Sequence, residues 1–243
     1  MSAELRVLPV EGMPEVRKGN KVGELIAARA ELFDGDVVVI SQKVVSKAEG
    51  MVRRLAEVEP SEKARELAND LGKEAELVEL VLSESREVLR AERDVLITET
   101  HHGFVCANAG IDASNLPEDG TVCLLPRDPD ASARAIRKEL GTAIVIADSF
   151  GRAWRLGQAE VAIGCAGLAP LDDWRGREDA SGRELSATVI AIADEVAAAA
   201  DLVRVKDAGV PAAVVRGLDH YVLAEDGPGA SALRRPRSGD LFR

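Results

Sequence analysis

Two short apolar runs do most to limit what this chain can fold into. Val37-Val38-Val39-Ile40, preceded by the turn-forming Asp34-Gly35 and by Asp36, is β-branched without a break, and Ala143-Ile144-Val145-Ile146-Ala147 has the same character. Runs of this length and composition form buried strands rather than helices. Around them, residues 5–10 and 210–215 predict strands near the two ends of the chain, and 95–98 and 121–125 two more in its middle. Helical patterns cover 22–31, the stretch from the N-capping Ser61 through Ala64, Leu67, Leu71, Ala75 and Val78 toward Leu82, residues 130–140 before Gly141, and the alanine-rich 185–203. Strand and helix signals interleave without the strict alternation of a doubly wound fold. An α+β fold is therefore expected, with mixed sheets in two intimately joined subdomains that together make one domain over residues 1–243.

The residue inventory narrows the function. With 46% hydrophobic and 30% charged residues the chain can bury such a core, and no stretch approaches the roughly 20 apolar residues of a membrane span. The opening residues lack the apolar centre of a secretory signal, so a cytoplasmic location without a membrane partner is expected. Cys106, Cys123 and Cys165 are an odd number without close pairing, which points to buried, reduced thiols. A formal net charge of -11 argues against a nucleic-acid partner, since phosphate backbones are gripped by clustered Lys and Arg. It leaves room for a small anion held by locally focused cations.

Several constellations could carry chemistry. Asp112 lies three residues before Asn115, and Asp148 follows the second apolar run with the Ser149 hydroxyl beside it. Carboxylate and hydroxyl oxygens suit Mg²⁺ or Mn²⁺, although by spacing alone an Asp at a strand end is first a turn or cap residue. Lys43 and Lys47, flanked by Ser41 and Ser46, have the charges to hold a triphosphate. Lysines near a strand end are more often simply solvated. No G-x-x-x-x-G-K-[ST] run occurs, so a nucleotide would be bound without a P-loop. Arg152 and Arg155, in a passage bearing Gly151 and Gly157, read equally as an anion grip or as decoration of a surface loop. The neighbours His101 and His102 would point to opposite sides of a strand and are left out of the site.

Six runs carry a resemblance. They are Pro9-Val10-Glu11-Gly12 with Pro14, Ser46-Lys47-Ala48-Glu49-Gly50, Asn108-Ala109-Gly110-Ile111-Asp112-Ala113-Ser114-Asn115, Asp148-Ser149 with Gly151-Arg152, Asp173-Trp174 with Gly176-Arg177, and Gly182-Arg183-Glu184-Leu185. In content and order, and with Val214-Val215-Arg216-Gly217 closing the series, the chain resembles the F420-0:γ-glutamyl ligases of deazaflavin coenzyme biosynthesis. The end, Leu241-Phe242-Arg243, resembles the end of the ligase part of actinobacterial two-domain homologues, so a stand-alone ligase without their flavin-binding domain is expected.

That resemblance implies GTP-dependent joining of L-glutamate to the carboxylate of F420-0 or dehydro-F420-0, and then of further γ-linked glutamates, through an acyl phosphate. It implies GTP contacts at Met13, Pro14, Glu15, Val16, Gln42, Lys43, Lys47 and Asn115. Mg²⁺ or Mn²⁺ would be held at Asp112, Asp148 and Ser149, with K⁺ as a further ion. The catalytic assignments are Asp112, Asp148 and Lys47, and a homodimer is expected. Arg152, Arg155, Arg175 and Arg177 are candidates for gripping substrate anions. One segment departs from the family: where archaeal members carry a glycine- and acid-rich loop before the last strand, residues 203–209 are shorter and more basic. Two alternatives stand beside this expectation, an amino-acid ligase acting on another carboxylate and a GTP-sensing module without chemistry.

Overall fold

A computed structural model describes residues 4–241; Phe242 and Arg243 of the closing run, and the first three residues, lie outside it. The chain runs β1 (Arg6–Pro9), α1 (Val22–Ala27), β2 (Val37–Ser41), α2 (Gln42–Glu49), β3 (Val52–Arg54), α3 (Glu62–Leu71), α4 (Ala75–Ser83), β4 (Ser85–Glu92) and β5 (Val95–Thr100). It continues through β6 (Val105–Ala107), β7 (Thr121–Cys123), α5 (Pro129–Leu140), β8 (Ala143–Arg152), β9 (Arg155–Ala166), β10 (Asp172–Asp173), β11 (Val189–Ile190), α6 (Ile192–Asp201) and β12 (Ala212–Arg216). The α+β class with mixed sheets is the one expected.

The two apolar runs sit side by side at the centre. β2 and β8 pair in parallel, Val37 opposite Ala143 and Ser41 opposite Ala147, inside a sheet ordered β1-β12-β2-β8-β9 whose other pairings are antiparallel. Their residues are apolar without alternation because both faces are covered. Val38, Ile40, Ile144 and Ile146 pack with Val22 and Ile26 of α1, Val44 and Val45 of α2 and Ile136 of α5. Val37, Val39, Val145 and Ala147 pack on the other side with Ile192, Val196 and Ala200 of α6.

A second core lies between α2 and α5 in sequence, built from α3, α4, Leu96 of β5, Val122, Leu124 and Met51. It carries the small sheets β4-β5-β6 and β3-β7. Cys106, Cys123 and Cys165 are buried and unpaired, as expected of structural thiols.

Three local expectations are corrected. The helix expected from Ser61 toward Leu82 is two helices, because Gly72 takes a left-handed conformation with φ 62° and closes α3. The alanine-rich helix begins only at Ile192; Val189 and Ile190 pair instead with Asp173 and Asp172. Asp148-Ser149 is not a strand end, for β8 continues to Arg152 and turns through Trp154, φ 60°, into β9. The passage read as a glycine-bearing loop is thus a β-hairpin.

Sheet and helix backbones come close at Gly164 of β9, where a β-carbon would stand 2.3 Å from the Pro129 carbonyl oxygen at the start of α5. Both partners are backbone, so neither can rotate away. Gly164→Ala is expected to lower stability by about 1–3 kcal/mol through overpacking, read as an earlier midpoint in urea denaturation with the slope unchanged.

Candidate functional site

The sheet register gathers the site. Because β2 and β8 are parallel with Ser41 opposite Ala147, the end of β2 and residues 148–149 within the longer β8 reach one rim, the position where open sheets of this kind present ligand sites. β1 ends and β12 begins at the same rim, tied to it by Val10 N–H to Ala212 O at 2.9 Å and Ser41 N–H to Pro211 O at 2.8 Å. Residues at these four strands, with the loop bearing Asp112 and with Glu160 of β9, therefore enclose one cleft of about 540 Å³. Every residue expected to contact nucleotide or metal lines it: Met13, Pro14, Glu15, Val16, Gln42, Lys43, Lys47, Asp112, Asn115, Asp148 and Ser149.

α2 starts directly from β2 and closes at Gly50, φ 73°. Its Val44 and Val45 are buried, which turns Lys43 and Lys47, one turn apart, toward the cleft. Lys43 Nζ donates to Asp112 Oδ2 at 2.8 Å and to the Ser114 carbonyl at 2.7 Å. Lys47 Nζ donates to Glu15 Oε1 at 2.6 Å and to the Asn115 carbonyl at 3.0 Å. Gln42 at the first turn is 1% exposed; its Oε1 accepts the Ser46 hydroxyl at 2.9 Å, while its buried Nε2 has no hydrogen-bond partner. A buried amide donor without a partner costs free energy, which a ligand acceptor in the cleft would recover.

Asp112 is carried by a loop held through two backbone hydrogen bonds with Cys123 of β7. The loop begins with Asn108 and Ala109 both at positive φ, 50° and 54°, a conformation that costs non-glycine residues about 1–2 kcal/mol each. Burial works against charge at Asp112. The Lys43 ammonium and the Ser114 N–H, at 2.7 Å, outweigh it and hold the carboxyl below the usual carboxylate range.

Asp148 is the opposite case. Burial, then the charge of Glu160 facing it from β9, push its carboxyl up to about 7. Glu160 is buried; its Oε2 holds Arg204 Nη2 at 2.7 Å, and its Oε1 accepts the Ser149 hydroxyl. Ser149 Oγ in turn accepts from Lys206 Nζ at 2.8 Å. Among the described residues, Asp148 has no Lys or Arg in ion-pair contact, unlike Asp112 and Glu160 beside it. Hard oxygens with an uncompensated negative charge fit a divalent ion that keeps waters and substrate oxygens as its other ligands. No group of three or more His, Cys, Asp and Glu among the described residues is already arranged as a closed metal cage.

Other expectations fall elsewhere. Arg152 folds back onto the Leu156 carbonyl at 2.8 Å within the hairpin, Arg175 pairs with Asp173 and Arg177 lies 3.5 Å from Asp172; with Arg155, none of them lines the cleft. His101 and His102 border a separate cleft of about 440 Å³. Glu160 was not singled out in the sequence, and Arg204 and Lys206 only as part of the basic segment 203–209. Glu160 stands in a strand that reads as a glycine-rich passage, and only a predicted β8–β9 hairpin would have set it opposite Ser149.

The F420-0:Gamma-glutamyl ligase family model matches residues 12–217. The chain is 45% identical over 251 residues to the coenzyme F420:L-glutamate ligase of Methanothermobacter thermautotrophicus, covering 98% of this chain and 99% of that one. The proteins of that name from Archaeoglobus fulgidus and Methanopyrus kandleri are 46% identical over 222 residues, covering 88% of both chains, and 45% identical over 247 residues, covering 98% of both.

A carboxyl raised to about 7 binds a proton in the folded chain that the unfolded chain releases near pH 4. Its contribution to stability therefore falls as pH rises from about 4 to about 7 and is flat above. With divalent ions chelated, Asp148→Asn is expected to be more stable than the unaltered chain at pH 8, by up to ~4 kcal/mol, and equal to it near pH 4. Urea denaturation at the two pH values checks this.

Proposed function

The chain belongs to the F420-0:Gamma-glutamyl ligase family, and from that premise we propose that it joins L-glutamate to the carboxylate of F420-0 or its dehydro form, driven by GTP and a divalent ion. Further γ-linked glutamates would be added by the same chemistry. The observation that carries this reading is the meeting, in one cleft, of two lysines, the unpartnered Gln42 amide and the uncompensated Asp148. A triphosphate supplies acceptors and negative charge to the first three, and its attendant Mg²⁺ or Mn²⁺ supplies charge to the fourth.

In the proposed sequence an oxygen of the acceptor carboxylate attacks the γ-phosphorus of GTP, the bond to the β-phosphate oxygen breaks, and GDP leaves. The glutamate amine then attacks the acyl carbon, phosphate departs with the former carboxylate oxygen, and the amine proton passes to solvent. Mg²⁺ or Mn²⁺, bound by Asp112 and Asp148, would neutralise charge on the transferring phosphoryl group. Lys43 and Lys47 exchange their present partners Asp112, Glu15 and the Ser114 and Asn115 carbonyls for phosphate oxygens. Gln42 Nε2 donates to the nucleotide, the segment bearing Met13, Pro14, Glu15 and Val16 forms the opposite wall, and Asn115 closes it. Positioning and electrostatic stabilisation are sufficient for this class of transfer. No cysteine is needed: Cys106 and Cys165 are pushed up to about 12 by burial, Cys123 to about 11, which keeps them as thiols. A cytoplasmic homodimer completes the proposal.

Purified chain with F420-0, glutamate, GTP and Mn²⁺ should give products heavier by successive glutamates, and sustained release of GDP and phosphate over many turnovers should require both acceptor and glutamate. With oxygen-18 in the acceptor carboxylate, released phosphate should carry one labelled oxygen; phosphate labelled only from water would overturn the acyl-phosphate route.

Asp112→Asn and Lys47→Met should each slow turnover by ~10²-fold or more, the size of losing one charged group at a transition state. The lysine variant should also bind GTP more weakly in calorimetry. Unchanged GTP affinity there would remove Lys47 from the nucleotide site.

A further inference from the structure

Three buried or half-buried acids line the inner side of the cleft, and the chain supplies its own cations to two of them. Asp112 holds Lys43 Nζ at 2.8 Å. Glu160 holds Arg204 Nη2 at 2.7 Å through one oxygen, with both side chains 5% exposed, and stands 3.7 Å from Lys206 Nζ through the other. That leaves Asp148 with no such partner.

Ser149 is placed differently from a waiting metal ligand. Its proton goes to Glu160 Oε1, and its oxygen already accepts from Lys206 Nζ at 2.8 Å. An ion binding Ser149 and Glu160 would stand within a few ångströms of that ammonium and be repelled by it. Lys206 is brought there by its own loop. Arg204, two residues earlier, is buried against Glu160 and 3.9 Å from Asp201 at the end of α6, so the loop is pinned on the side from which Lys206 reaches in.

Resting on the ligase reading above, we infer that Lys206 is a tethered cation: its ammonium fills the cation position beside Ser149 and Glu160. The chain accordingly binds one divalent ion per cleft, on the Asp112 and Asp148 side, and Ser149 is a partner of lysine rather than of metal. An ammonium offers hydrogen bonds and a single charge instead of a coordination sphere. A phosphate oxygen arriving at this position is met by a group whose presence does not depend on the concentration of free metal. Lys206 is thus a positioning residue for the nucleotide, and the basic character of residues 203–209 has a specific use.

The test counts ions rather than turnover. Bound Mn²⁺ per chain is measured by equilibrium dialysis, with free Mn²⁺ read by electron paramagnetic resonance, for the protein alone and with GDP. The unaltered chain should bind one Mn²⁺ through the protein, lost in Asp148→Asn. Lys206→Ala and Lys206→Gln should each gain a second, and Lys206→Arg should remain at one. Lys206 is 71% exposed and packs in no core, and matching thermal midpoints confirm that the variants are folded. Two ions in the unaltered chain, or one in both the alanine and glutamine variants, overturns the tethered cation while leaving the ligase reading in place. No bound ion in the unaltered chain overturns the metal assignment of Asp112 and Asp148, and the inference with it.

Discussion

The parallel pairing of β2 with β8 is the constraint on which the rest of the molecule depends. Parallel strands cannot be joined by a tight turn, so a long crossover must separate them. Here the crossover contains α2, the whole second core and α5. The same pairing demands cover on both faces, which α1, α2 and α5 supply on one side and α6 on the other. It also fixes polarity: Ser41 comes opposite Ala147, so the first residues of α2 and the acid after Ala147 must emerge together. The lysines and Asp148 are neighbours because hydrophobic burial made their strands neighbours. The antiparallel β12 and β1 then add their own ends to the rim without altering its direction.

Electrostatics at that rim pull against folding. The chain carries a formal net charge of -11, yet the cleft concentrates Lys43, Lys47, Arg204 and Lys206. Each of these is matched to an oxygen of the protein itself, in pairs of two kinds. Lys43 and Lys47 are partly exposed and their pairs with Asp112 and Glu15 face solvent on the acid side, which makes them weak enough for a phosphate to replace. Arg204 with Glu160 is buried on both sides, and breaking it would strand a charge. The first kind of pair suits binding and the second suits scaffolding.

Much of this was legible in the sequence, for identifiable reasons. The apolar runs of β2 and β8 and the caps Ser61 and Gly141 are local properties that survive without a third dimension, whereas Asp112, Asp148, Lys43 and Lys47 read locally as turn or solvated residues and were marked as a site by the family resemblance. What escaped was long-range or depended on one residue's backbone. Gly72 ends a helix whose apolar spacing runs on past it, so periodicity alone joined α3 to α4. The hairpin of β8 with β9 was hidden because Gly151 and Gly157 look like loop residues, and with it went Glu160, whose role exists only opposite Ser149. Of the four arginines of residues 152–177, promoted by charge and neighbouring glycines, Arg152, Arg175 and Arg177 bond locally and Arg155 lies away from the cleft lining.

The contrast between Asp112 and Asp148 shows how one cleft can be both folded and reactive. Two carboxylates of equal chemistry reach it from different supports: one arrives on a loop between β6 and β7 and meets an ammonium, the other projects from a strand interior and meets another acid. The folded chain therefore keeps one acid ionised and neutral in sum with Lys43, and one held near half-protonation at neutral pH. In the proposed reaction a divalent ion between them would offset the charge of Asp148 and compete with Lys43 for Asp112, freeing that lysine for a phosphate. On the proposed reading, metal and nucleotide would be coupled through a single carboxylate, each making the other's binding less costly.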